Sequence, residues 1–158
     1  MPAKPIPDGY HSITPYLILS EAAKGLEFYQ RALGAVELMR MDGPGGKVMH
    51  AEIRIGNSIV MLADEFPEMG AVSPQTLGNT PVSLMIYVED VDARVAQAIA
   101  AGATVKRPLQ DQFYGDRSAT LVDPFGHVWT ISTHKEDLSK AEIDARLAAM
   151  MNQQGGPG

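Results

Sequence analysis

The sequence predicts an α+β protein made of two copies of one βαβββ module, and three observations carry that prediction. Strand-like and helix-like stretches follow one another in the same order twice, roughly 70 residues apart. The repeat sets Gly34 opposite Gly102 and Gly56 opposite Gly126. Neither copy holds many apolar positions of its own, so the two are expected to pack together around a shared core.

Module one spans residues 13–65 and opens with ITPYLILS, whose apolar and aromatic content is that of a strand. EAAKGLEFYQRALG follows, with Ala22, Leu26, Tyr29 and Leu33 on one helical face and Gly34 where a left-handed residue would end the helix. AVELMRM, KVMHAEIRI and IVMLADE then read as three strands, joined by GPGG and GNS turns. A loop rich in turn residues, 66–81, leads to module two, residues 82–134. There VSLMIYV is a strand, Asp90 can cap the helix DARVAQAIAAG, and Gly102 can end it. ATVKRPLQ, RSATLVD and VWTISTH supply the last three strands, joined by DQFYGD and PFGH. In the last strand Val128, Thr130, Ser132 and His134 alternate with Trp129, Ile131 and Thr133, which predicts one mostly polar face. Ser139 and Glu142 have capping-box spacing before a helix over 136–152, with Ile143, Leu147 and Met150 on one face. Residues 153–158 read as a disordered tail.

Composition narrows the function classes. Hydrophobic residues at 45% and charged ones at 20% are those of a soluble globular chain. There is no apolar run long enough for a bilayer and no apolar segment near the start, so a cytoplasmic protein without a membrane contact is expected. The absence of cysteine removes disulfides, thiolate metal sites and cysteine nucleophiles. A net charge of −6 without a basic block leaves nothing to neutralise a nucleic acid, so the expected partner is a small molecule.

FYQRALGA in the first module, with VEDVDARVAQAIAAGATV and DPFGHVWTI in the second, resembles the vicinal oxygen chelate superfamily. That superfamily holds glyoxalases, bleomycin-resistance proteins, fosfomycin-resistance enzymes and extradiol dioxygenases. HAEIRIGNSIVMLADEFPE and DQFYGDRSATLVDPFGHVW are similar to its PhnB-like branch, and the resemblance covers residues 11–135. It implies mixed, curved sheets that form a cup-shaped cavity, closed by pairing modules within or between chains. In metal-using members a divalent ion is held there by His, Gln or Glu. Matched to those positions, this chain offers Thr14, Ser83, Thr130 and either Val60 or Met61, none of them a carboxylate or imidazole. No metal and no cofactor is therefore expected, although His50 and Glu52 share a strand face and could chelate.

Other signals are weaker. GPGGK lacks phosphate-loop spacing and reads as a hairpin connection, and no Ser-His-Asp order with an elbow motif is present. QDQFYGDR sets Tyr114 and Arg117 beside Gly115, an aromatic face and a cation suited to a pocket rim, or else a surface turn. The expected ligand site therefore comprises Tyr16, His50, Glu52, Met85, Tyr114 and Arg117, in a metal-independent binding protein that sequesters its ligand. The alternative is a glyoxalase-type lyase or isomerase with Glu52 as base and Arg117 as electrophile. A homodimer is expected as well, from a Trp129 turned away from the cavity and the apolar face of the C-terminal helix.

Overall fold

A computed structural model describes residues 2–155. Leu17 and Leu19 alternate with Tyr16 and Ile18 along β1 (Tyr16–Leu19), and the two leucines are buried. The strand is shorter than its apolar content suggests. Pro15 has no N–H to give a ladder, and Ile13 before it stands 86% exposed. The predicted face of α1 (Ala22–Leu33) is buried throughout, and Gly34 closes the helix at φ 66°. No side chain of the preceding residue caps it. Asp64 of β4 does so across the module, accepting the Ala22 N–H at 2.8 Å and the Val48 N–H at 2.7 Å.

β2 (Val36–Asp42), β3 (Val48–Ile55) and β4 (Ser58–Asp64) complete a sheet in the order β1-β4-β3-β2, with β1 parallel to β4 and the others antiparallel. The connecting loop is not all irregular. Ser73 caps a one-turn helix, α2 (Pro74–Leu77), by accepting the Thr76 N–H, with Pro74 at the first helical position. Module two repeats the first with β5 (Ser83–Tyr87), α3 (Val91–Ala101), β6 (Thr104–Asp111), β7 (Asp116–Val122) and β8 (Val128–His134), in the order β5-β8-β7-β6. Asp90 caps α3 as expected.

The modules meet through α1 and α3, so the helix-covered faces of both sheets turn inward. Asp123, in the turn before β8, fastens this junction. One carboxyl oxygen accepts the Phe125 and His127 N–H groups at 2.9 and 3.0 Å. The other accepts the Tyr29 hydroxyl of α1 at 2.5 Å and the Trp129 indole N–H at 2.9 Å. His127 Nε2 also lies 2.9 Å from the Ile18 carbonyl. Trp129 faces away from the polar side of its strand as predicted, but it is only 3% exposed. Its indole is consumed by Asp123 and the Tyr29 ring, so it gives no surface to a subunit contact.

The capping box of Ser139 and Glu142 forms and starts α4 (Lys140–Gln154). No residue of α4 is buried; Arg146 ties it to Glu136 at 2.7 Å. Within the predicted tail the helix continues through Gln154, and residues 156–158 lie outside the described residues. No helix among the described residues is long and apolar enough to cross a membrane.

Candidate functional site

Because α1 and α3 occupy the inner faces, the opposite face of each sheet is left open. On module one, Tyr16, Met61, Glu52 and Met39 stand in register across β1, β4, β3 and β2, with His50 opposite Met41 one step along. Tyr16 is 47% exposed, Met39 40% and Met41 48%, although all belong to paired strands. A hydrogen-bonded chain runs through this face. The Tyr16 hydroxyl lies 2.8 Å from His50 Nδ1, and His50 Nε2 lies 3.2 Å from Glu52 Oε1. Tyr10, in the lead-in before β1, donates its hydroxyl to Glu52 Oε2. That bond and the His50 contact hold the Glu52 pKa below its ordinary value against the opposing effect of burial. Burial and the nearby Glu52 charge raise that of Tyr16.

Module two carries a second network on its own open face. Asp116, 4% exposed, accepts the Tyr87 hydroxyl at 2.9 Å and the Ser132 hydroxyl at 3.2 Å, and lies 2.7 Å from His134 Nδ1. His134 Nε2 lies 2.8 Å from Asp137. Burial alone would raise the Asp116 pKa, but the bonds from His134, Tyr87 and Ser132 outweigh it and the pKa is lowered. Asp116 and then Asp137 raise that of His134. Ser132 and His134, from the polar face predicted for the last strand, are thus committed to an internal carboxylate, while Thr130 pairs with Thr120.

Of the six residues chosen from the sequence, Tyr16, His50 and Glu52 come together. Met85 belongs to the other sheet, in register with Thr130 and half exposed. Tyr114 sits in the β6–β7 turn, edge-on to Phe113 with ring centroids 5.2 Å apart. Arg117 does not serve a rim. Alternation along β7 turns it to the helix side, where Asp92 holds its guanidinium through two 3.0 Å bonds and Asp111 through one of 3.3 Å. Those two carboxylates engage three of its N–H groups on the side of the sheet away from the open face. The sequence reading passed over Tyr10 and the network of Asp116 with His134. Asp116 had a signal, since it alternates with Ser118 and Thr120 against Ala119 and Leu121; Tyr10, in an irregular lead-in, had none.

A half-open groove of about 1340 Å³ separates the lead-in to β1 from β5, lined among others by Ile13, Pro15, Asn57, Leu84, Tyr87 and Arg94. Both β1 and β5 are edge strands and neither is paired on its outer side.

The donors at the metal positions that the resemblance implies do not fit a divalent ion. Met61 shares the open face while Val60 is buried on the helix side, which settles the register as Thr14, Met61, Ser83 and Thr130. These are three hydroxyls and a thioether, and two of the hydroxyls are engaged, Thr14 with the His11 carbonyl and Thr130 with Thr120. His50 and Glu52 form no substitute, since they supply two ligands and among the described residues no third His, Asp or Glu stands with them. Among the described residues there is no group of three or more His, Asp or Glu placed to hold a metal.

Two βαβββ units, packed helix to helix with open strand faces, define a tandem-module protein of the glyoxalase type. Residues 10–131 match the model of the Glyoxalase/Bleomycin resistance protein/Dioxygenase superfamily, and the chain belongs to that superfamily. The uncharacterized protein Mb0911c of Mycobacterium bovis is 41% identical over 141 residues, which cover 87% of this chain and 93% of that protein. Among solved structures, a PhnB protein from Bacillus cereus superposes with a TM-score of 0.59 at 19% identity, covering 78% of this chain and 99% of that one. FosX, a fosfomycin resistance protein from Listeria monocytogenes solved with Mn(II) and sulfate, superposes at 0.61 with 16% identity, covering 84% and 95%. At these identities the two structures speak for the fold alone.

Proposed function

We propose that this protein binds a small organic molecule on the open face of module one, without a metal, and sequesters it in the cytoplasm. The observation that carries the reading is the Tyr16–His50–Glu52 chain on a half-exposed strand face flanked by Met39, Met41 and Met61. Methionine thioethers adapt to the outline of an apolar or aromatic body, and the phenol and imidazole offer fixed hydrogen-bonding points. The lyase alternative fares less well. A base at Glu52 would have to take up a proton readily, whereas the bonds from Tyr10 and His50 hold its pKa below the ordinary value. Arg117, its proposed electrophile, is held elsewhere by Asp92 and Asp111.

A homodimer completes this reading. Two-fold pairing of β1 with a second copy's β5 would fill the groove and join the open edges. It would also set module two's Met85 and Thr130 beside the Tyr16 face, making a cup from two half-sites.

The test is mass spectrometry of the protein purified under native conditions, then denatured to release what it carries. A small molecule should accompany the wild type and be lost from His50→Ala and Tyr16→Phe. The reading fails if the wild type carries nothing that either substitution removes. Turnover of a glutathione hemithioacetal, abolished by Glu52→Gln, would put the lyase reading in its place.

A further inference from the structure

The fourth member of the module-one chain does not come from a strand. Tyr10 stands at the first residue of the matched family region, at the end of an arm whose described part runs from Pro2. A turn closed by the Tyr10 N–H on the Pro7 carbonyl at 3.1 Å, with Gly9 at φ 84°, swings its side chain over β3. There the phenol occupies Glu52 Oε2, and the Glu52 side chain is only 14% exposed on a face that is otherwise open. The arm has few anchors besides this bond. His11 Nε2 lies 3.2 Å from the Asn57 carbonyl, Ile59 lies under Gly9, and the Lys4–Asp8 pair is internal to the arm and exposed. An aromatic ring with a hydroxyl, held by one hydrogen bond on a tether of this kind, is the sort of group a ligand could replace.

We propose that Tyr10 is an internal stand-in for the ligand, and that the face of module one takes an uncharged phenol whose O–H donates to Glu52 Oε2 in its place. The inference rests on the binding reading above and gives it a substrate class. Glu52 accepts both its bonds, so a ligand there must bring a hydrogen; an ionised phenol would meet the carboxylate with like charge and be rejected. Met39 and Met61, in register on either side of Glu52, suit an aromatic ring through sulfur contacts. A saturated alcohol would supply the donor without those contacts.

The probe is p-cresol, the tyrosine side chain as a free molecule. Tyr10→Ala leaves the fold's core untouched and empties the position; Tyr10→Phe keeps the ring and removes only the donor. In carbon-13 NMR of the side-chain carboxyls, Glu52 should titrate higher in both variants than in wild type. Adding p-cresol to Tyr10→Ala should bring it back down. By calorimetry p-cresol should bind Tyr10→Ala at least about tenfold tighter than wild type, the factor set by one net hydrogen bond and the removal of a competitor. Glu52→Gln in the same background should abolish that gain, and cyclohexanol should not reproduce it. Equal p-cresol affinity in wild type and Tyr10→Ala, or a gain that survives Glu52→Gln, overturns the proposal. A co-purifying molecule still lost on His50→Ala would then leave the binding reading standing without it.

Discussion

Asp123→Asn tests whether the junction that fixes the two open faces depends on one carboxyl group. Both oxygens of Asp123 are saturated, one by two backbone N–H groups and the other by the Tyr29 hydroxyl and the Trp129 indole. Asparagine has the same shape but only one such oxygen. With its NH₂ toward the backbone it leaves the Phe125 and His127 N–H groups without an acceptor; turned round it leaves the Trp129 indole, while the Tyr29 hydroxyl can rotate to accept. At about 1–3 kcal/mol for each unsatisfied buried donor, the cheaper orientation loses about 1–3 kcal/mol. Against a typical domain stability of about 5–15 kcal/mol, that is a large share. Urea unfolding followed by fluorescence reads the effect at its source, since Trp129 is the single tryptophan of the chain and contacts Asp123 directly. Tyr29→Phe alone should cost about 1–2 kcal/mol, and less in the Asp123→Asn background, because two changes to one network are not additive. A loss under about 1 kcal/mol for Asp123→Asn, or strict additivity with Tyr29→Phe, would refute the account of the junction.

Three further outcomes are expected. Elemental analysis after dialysis should find no stoichiometric divalent metal; about one Zn, Ni or Mn per chain, lost with His50→Ala, would contradict the donor argument. Light scattering at micromolar concentration should give twice the 17.0 kDa chain mass, and the dimer should survive truncation after Lys135, since no residue of α4 is fully buried and the edges proposed to pair belong to β1 and β5. His134 should act as a pH-dependent fastener. Its pKa is raised by Asp116 and Asp137, so its contribution is complete at pH below the unfolded value and lost as pH rises through the folded one. Neutral imidazole has one N–H for two carboxylates, so hydrogen exchange in residues 135–139 should quicken, after correction for intrinsic rates, above that pH and show no such step in His134→Gln.

The order of elements was legible in the sequence because strand alternation and helical spacing are local patterns, and both modules follow them with few exceptions. Gly34 and Gly102, both at positive φ, ended helices where they were expected to, and Ser139 capped where its spacing with Glu142 placed it. His50 and Glu52 could be found for the same reason, since i, i+2 residues share a strand face whatever surrounds them. Direction of a side chain at a strand end was harder: Arg117 follows the same alternation, but only the packing of α3 brings Asp92 within 3.0 Å and removes it from the ligand face. The networks were out of reach for a different reason. Tyr10 and Glu52 are 42 residues apart in the chain, and Tyr87 and Asp116 are 29 apart. No period relates such pairs; they meet because two sheets wind the chain back on itself. The sequence by itself determined which residues face away from the core, while the tertiary structure alone decided which of those are still free to bind.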